Sequence, residues 1–408
     1  MPKPISEVDK IYVRELLNRV LAKSKVSLTS KENYFKLQDI IHKHCDASIS
    51  FSTLKRWFSE KDTTNPTKAL LDIFCKYIGF DNWKAYLEDI RKYDRYMLQH
   101  EISLITIQKS IDISRVKVLC ERYGHISEIL PFVYNLNQLA KEYKDECFFA
   151  SVFALPNIFN KAYHTEYDFY YLGQSIALCM RANEEMAERL AENYCKTPIA
   201  TQYCIESFVD EDYIDGYYGK WLDEYHKHNK NEESIIFYNA LKYKAALING
   251  NKKKTTYHYK QIAGIDIKIK IPAIVKQRFI AIKLIEEKHI PDAKKDLLYK
   301  KIVEIAEKLN GKQNDYPLYI LRYLYKAKKY NWMIEITNLF DKYPAKTDEH
   351  WLIKSWNALQ LYRAFAYYLQ GRKEEAITIF NTVDPNLFDP FVYNCMMKDY
   401  LEIKEQIA

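Results

Sequence analysis

Beyond residue 93 the chain repeats its apolar residues with helical period in one segment after another, which leaves few fold classes open. The segments run at about 99–122, 126–143, 167–195, 232–249, 273–288, 291–309, 316–328, 331–342, 349–369 and 373–382. Short polar connections with few prolines join them. The pattern predicts an all-α fold in which paired helices stack as an array. One stretch reads differently. Gly264-Ile265-Asp266-Ile267-Lys268-Ile269-Lys270-Ile271-Pro272 alternates apolar and polar residues with period two, as an extended connector or a strand edge would.

Near the C-terminus Ala364, Tyr367, Gly371, Ala376 and Phe380 stand at the relative offsets of a tetratricopeptide repeat, with Pro385 a little early for the terminal proline. The small residues let two helices approach, the aromatics fill the gap, and Gly371 can break the first helix. Residues 235–260 echo this with Ala246, Gly250 and Tyr259, although Thr255 replaces the small Ala, and residues 318–343 read as another helical hairpin. The C-terminal part thus resembles a degenerate tetratricopeptide-like superhelix. That resemblance implies a curved surface able to take up a peptide or protein segment. The 35 tyrosines are expected to act mostly as spacers between helices, with hydroxyls reaching water.

Residues 49–58, Ile-Ser-Phe-Ser-Thr-Leu-Lys-Arg-Trp-Phe, carry the chemistry of a recognition helix. Ser50 is a candidate N-cap. Phe51, Leu54 and Phe58 share one helical face, while Ser52, Lys55, Arg56 and Ser59 share another. One face can pack while the other offers hydroxyls and two cations, as a helix lying in a DNA major groove requires. Upstream, Thr29-x-x-Glu32 reads as a capping box opening a helix to about Cys45, with Leu37, Ile40, Ile41 and His44 at helical spacing. Asp46-Ala47-Ser48 forms the turn. Downstream, after a polar loop, Pro66 is expected at the first helical position. Leu70, Leu71, Phe74 and Ile78 make an apolar stripe, and Gly79 is placed to cap. A last short helix carries Trp83, Tyr86 and Leu87.

The run Ile49-Ser50-x-Ser52-Thr53-Leu54-Lys55-Arg56-Trp57-Phe58, then Pro66, then Tyr77-Ile78-Gly79-Phe80-x-x-Trp83, resembles a compact bacterial helix-turn-helix module over about residues 6–93. The module's frequent Gly after the recognition helix is Ser59 here, and the loop from Glu60 to Asn65 is polar. The resemblance implies double-stranded DNA as partner, with Ser50, Ser52, Thr53, Lys55 and Arg56 in contact and Lys61 touching the backbone. Charge agrees: residues 1–93 hold 17 Lys and Arg against 12 Asp and Glu, a net of +5 out of the chain's +7.

Other function classes lack their signatures. The nine glycines form no dinucleotide or P-loop motif and no nucleophile elbow, so no enzyme and no cofactor are expected. His42, His44 and Cys45 cluster, as do His226 and His228, but neither group has a second ligand pair at structural-zinc spacing, and no metal is expected. The eight cysteines form no Cys-x-x-Cys and read as reduced packing residues of a cytoplasmic protein. No run of about twenty apolar residues indicates a membrane span, and the N-terminus has no apolar stretch of a secretory signal.

The expected layout is a helix-turn-helix domain at 1–93, a helical connector at 94–125 and a tetratricopeptide-like array at 126–408. The expected function is that of a sequence-specific transcriptional regulator whose array senses a peptide or protein ligand or forms a homodimer. The alternative is a non-enzymatic interaction scaffold built on the helical repeats.

Overall fold

Side-chain caps set most of the helix starts in the N-terminal third. In the computed structural model, which describes residues 7–59, 66–266, 270–286, 298–300, 302–304, 317–342 and 353–407, α1 spans Glu7–Ser24 and α2 Lys31–Cys45. Helices α3, α4 and α5 follow at Phe51–Phe58, Lys68–Ile78 and Trp83–Gln108. Ser30, Ser50, Thr67 and Asn82 hold extended backbone and accept the N–H of Asn33, Thr53, Leu70 and Ala85, satisfying donors that each helix's first turn leaves open.

Three expectations shift by these caps. The cap of α2 is Ser30 rather than Thr29, whose hydroxyl accepts instead from the Asn33 side-chain amide. Pro66 precedes the cap of α4, because Thr67 captures the Leu70 N–H and delays the helix. The helix carrying Trp83 is not short: α5 continues through residue 93 to Gln108.

The chain divides into two compact units, Met1–Cys179 and Met180–Ala408. In the first, α6 (Ile113–Tyr123), α7 (Ile129–Tyr143), α8 (Glu146–Ser151) and α9 (Glu166–Arg181) follow α5, the last two residues of α9, Met180 and Arg181, belonging to the second unit. The segment 99–122, read as one helix, is broken where Lys109 turns left-handed at φ 51° and Asp112 caps α6. In the same way 167–195 is broken between α9 and α10 (Glu184–Lys196). Tyr12, Leu16 and Val20 of α1, Phe74 of α4 and Tyr86 and Ile90 of α5 are buried, and α4 packs on both α1 and α5.

In the second unit α11 (Tyr217–His228), α12 (Glu232–Ile248), α13 (Lys252–Ala263), α14 (Ala273–Ile285), α15 (Leu318–Lys326) and α16 (Tyr330–Phe340) precede α17 (Ile353–Leu369), α18 (Lys373–Phe380) and α19 (Tyr393–Ile407). Three hairpins turn alike. Gly250, Lys328 and Gly371 are left-handed, and the next N–H reaches back to Ala246, Leu324 and Tyr367 oxygens at 2.8, 2.9 and 3.0 Å. Ala364, Tyr367, Ala376 and Phe380 are all buried in the last of them. Most of 291–309 lies outside the described residues, as do 267–269 at the centre of the alternating stretch. Among the described residues there is no strand, and no helix is long and apolar enough to cross a membrane.

An acidic triplet, Asp210-Glu211-Asp212, ties the second unit together. Asp210 accepts from Arg181 Nη1 at 3.1 Å and from the Tyr217 hydroxyl at 2.7 Å. Asp212 accepts from Arg181 Nη2 at 3.1 Å and caps α19 from a distance, through the N–H groups of Asn394 and Cys395, both at 2.9 Å. Glu211 Oε2 meets Lys244 Nζ at 2.5 Å and Arg322 Nη1 at 2.8 Å. Burial alone would push the Glu211 carboxyl up, but Arg322, Lys244 and Arg278 outweigh it and hold it down at about 2. Many buried tyrosine hydroxyls end on protein acceptors rather than in water. Tyr218 donates to the Ile205 carbonyl, Tyr323 to the Ala240 carbonyl and Tyr362 to Asp399.

Glu211→Gln keeps the shape but leaves Lys244 and Arg322 without a counter-charge. The expected loss is about 3–5 kcal/mol, read as a lower denaturation midpoint of the full chain. An unchanged midpoint would show that the triplet's middle residue is not what holds α12 and α15.

A second expectation concerns acid. His125 lies edge-on to Tyr12 at 5.3 Å, its Nε2 is buried without a partner, and burial, with a smaller contribution from His164, lowers its pKa to about 4. Between the unfolded value of about 6.5 and that folded value the unfolded chain binds more protons here, so this group's contribution is intact above that window and lost as pH falls through it. His125→Phe should therefore reduce the stability lost between about pH 7 and pH 5 by about 1–2 kcal/mol. Parallel pH profiles for variant and parent would refute the assignment.

Candidate nucleic-acid interface

The short helix α3 is positioned by its apolar face. Leu54 is fully buried, and Phe51 stacks on Phe35 at 5.2 Å and meets Tyr34 edge-on at 5.6 Å, both on α2. Phe58 meets Phe74 of α4 edge-on at 5.9 Å. Helices α2 and α4 also pack on each other, with Cys45 Sγ directed at the Ile73 carbonyl. The turn between α2 and α3 works without glycine. Asp46 adopts the left-handed conformation at φ 49°, and its N–H bonds the His42 carbonyl at 2.9 Å. Ile49 is buried ahead of the Ser50 cap.

The opposite face is exposed. Ser50, Ser52, Lys55, Arg56 and Ser59 all face solvent, and Thr53 is half-buried. The three hydroxyls at the start of α3 form a cluster, with Ser50 Oγ 2.9 Å from Ser52 Oγ and 2.8 Å from Thr53 Oγ1. Ser50 Oγ also accepts the Thr53 N–H at 3.2 Å, so its role is to fix the helix start. Ser52, at i−3 and i−4 from Lys55 and Arg56, shares their face, and the Arg56 guanidinium lies 5.8 Å from the centre of the Trp57 ring. Trp57 Nε1 is buried with no partner. Lys61 lies outside the described residues.

Sequence reasoning passed over Lys31. Its ammonium sits 5.7 Å from the ring centres of both Phe35 and Phe51, which places a cation of the first turn of α2 against the base of α3. The i, i+4 relation of Lys31 to Phe35 was the available signal, but its partnership with Phe51 needed the fold. The two histidine clusters go separate ways. His42 and His44 are exposed, with His44 edge-on to Tyr77 at 5.4 Å, while the His226 ring stacks on Tyr238 at 4.2 Å. Among the described residues no three His, Cys, Asp or Glu side chains converge as a metal site.

No family model, curated protein or solved structure matches the chain.

The cap and the face separate by mutation. Ser50→Ala should lower stability by about 1 kcal/mol, because the Thr53 N–H loses its acceptor. Ser52→Ala should stay within about 0.5 kcal/mol. Equal urea midpoints for the two variants would remove Ser50 from its capping role.

Proposed function

We propose that this chain is a sequence-specific DNA-binding transcriptional regulator. The observation that carries the reading is α3: an eight-residue helix pinned through Phe51, Leu54 and Phe58, with Ser52, Lys55 and Arg56 on its open side. A groove-reading helix needs this division, because base contacts demand that the presenting side chains be held by packing rather than by the ligand. Arg56 and Lys55 take base edges or phosphates, and Ser52 and Thr53 add hydroxyl contacts. Ser50 orients the helix, and Lys31 adds a backbone contact beside it. One such module covers few base pairs, so the regulator works as a homodimer on two half-sites. The helical hairpins of the second unit, which resemble tetratricopeptide repeats in sequence, supply ligand sensing or dimerisation.

The test is fluorescence anisotropy of the full chain with a random duplex pool at low and moderate salt, followed by sequencing of retained DNA. Enrichment of a two-fold-symmetric motif is expected. Arg56→Ala should weaken binding by about 1–3 kcal/mol with unchanged circular dichroism. Lys55→Ala should lower the slope of log affinity against log salt by about 1 if that residue holds a phosphate. No retention even at low salt would overturn the DNA reading and leave an interaction scaffold built on the hairpins.

A further inference from the structure

Among the described residues of the second unit, two buried arginines keep unpartnered guanidinium nitrogens and line one cavity. Arg278 on α14 and Arg322 on α15 are each only 2% exposed. Both line a cavity of about 140 Å³, together with Lys354, Tyr319, Phe208 and Phe391. Of the three nitrogens of Arg322, Nη1 meets Glu211, while Nε and Nη2 are buried with no partner. Nε and Nη1 of Arg278 are buried and unpartnered as well, although its guanidinium lies 4.6 Å from the centre of the Tyr319 ring.

The protein's own acceptors do not close this deficit. Glu211 already serves Lys244 and Arg322 through Oε2, and its Oε1 is the one acceptor on that carboxylate still without a partner. A rotation of that side chain would meet one of the four orphaned nitrogens and leave the rest. Two carboxylates, Glu206 and Asp389, line the cavity, and each has one oxygen engaged elsewhere. Glu206 accepts the Tyr225 hydroxyl at 2.6 Å, and Asp389 accepts the Phe391 N–H at 2.9 Å. Buried guanidinium donors without acceptors cost several kcal/mol, so an acceptor from outside the chain, whether ordered water, an ion or a ligand, is favoured there.

We propose that this cavity binds a small oxyanion-bearing molecule, its carboxylate or phosphate group seated between Arg278 and Arg322. The planar donor forks of two arginines suit the paired oxygens of either group. Lys354, exposed at the rim, draws the anion in. Phe208 and Phe391, whose ring centres lie 5.6 Å apart, receive the ligand's apolar part. At about 10–15 Å³ per water-sized position the volume admits a molecule of roughly ten non-hydrogen atoms, far less than a peptide. This site stands on the second unit alone and does not require the DNA reading.

The experiment is isothermal titration and thermal denaturation of the full chain with inorganic phosphate and, separately, with 3-phenylpropionate, against sodium chloride at matched ionic strength. Saturable binding with a rise in Tm is expected for at least one probe and not for chloride. Phosphate alone would identify a phosphorylated ligand, and phenylpropionate alone or more tightly a carboxylate. Arg278→Met should weaken the bound probe by about tenfold or more while leaving the unliganded Tm equal or higher, because an uncompensated charge is removed. Lys354→Glu, a surface change that leaves the core intact, should weaken it by about threefold. If Arg278→Met does not fold, the Lys354→Glu result decides. No saturable signal from either probe up to about 10 mM, or parental affinity in every folded variant, would overturn the site.

Discussion

The second unit depends on three consecutive carboxylates whose partners come from five different elements. Asp210, Glu211 and Asp212 reach the end of α9, the start of α11, the middle of α12, α15 and the first turn of α19. Apolar burial alone does not choose among the ways of stacking helical hairpins, because one hydrophobic stripe packs on another with broad tolerance. A buried ion pair does choose, since any stacking that separates Glu211 from Lys244 and Arg322 strands charges in a low-dielectric interior. The triplet therefore works less as a source of net stability than as a selector of one arrangement. The capping of α19 by Asp212 is the clearest case. The Asn394 and Cys395 N–H groups find their acceptor in Asp212 alone, 182 and 183 positions earlier, so the last helix gains that cap only when it docks there.

How much of this was legible follows from the range of each interaction. Helix α3 could be read because its cap, packed face and open face all lie within ten residues and depend only on helical period. Gly79, Gly250 and Gly371 could be read as turns because glycine tolerates positive φ without strain. The break at Lys109 could not, because it places a lysine in the left-handed region, where composition gives no warning. Ser30 displaced Thr29 as a cap through one residue's difference in hydroxyl geometry, and that is below the resolution of a pattern. The triplet was invisible for the opposite reason. An Asp-Glu-Asp run is ordinary on a surface, and only the fold brings Lys244, Arg322 and Arg181 to it.

In the N-terminal helices a small polar cluster serves folding, and on the proposed DNA reading it would serve recognition as well. Ser50 uses its hydroxyl to hold the Thr53 N–H, and in doing so gathers Ser52 and Thr53 about it. The pre-formed cluster limits how many rotamers Ser52 and Thr53 lose on meeting a partner, and that lowers the entropic cost of contact. Lys55 and Arg56 lie one turn farther on. Long cationic side chains there can adjust to phosphate or base edge, whereas the hydroxyls cannot, so the proposed DNA contact would divide selectivity and affinity between different residues of one eight-residue helix.

The buried arginines pose a different physical question: why a chain that pairs Asp399 with Lys326 and Tyr362, and Asp210 with Arg181 and Tyr217, leaves two nitrogens of Arg278 and two of Arg322 unmet. Burial first, and then the nearby Arg322, outweigh Glu211 and lower the Lys244 pKa to about 8, so a cation without its counter-charge is an excess that this interior holds only at a cost. Such an excess weakens the unliganded unit and strengthens the liganded one, because an anion that binds only the folded form stabilises it by an amount that grows with its concentration. The surplus charge thus converts ligand concentration into stability of the α14–α15 region. If that stability in turn changes how the chain meets DNA, linkage requires DNA to change anion affinity by the same factor.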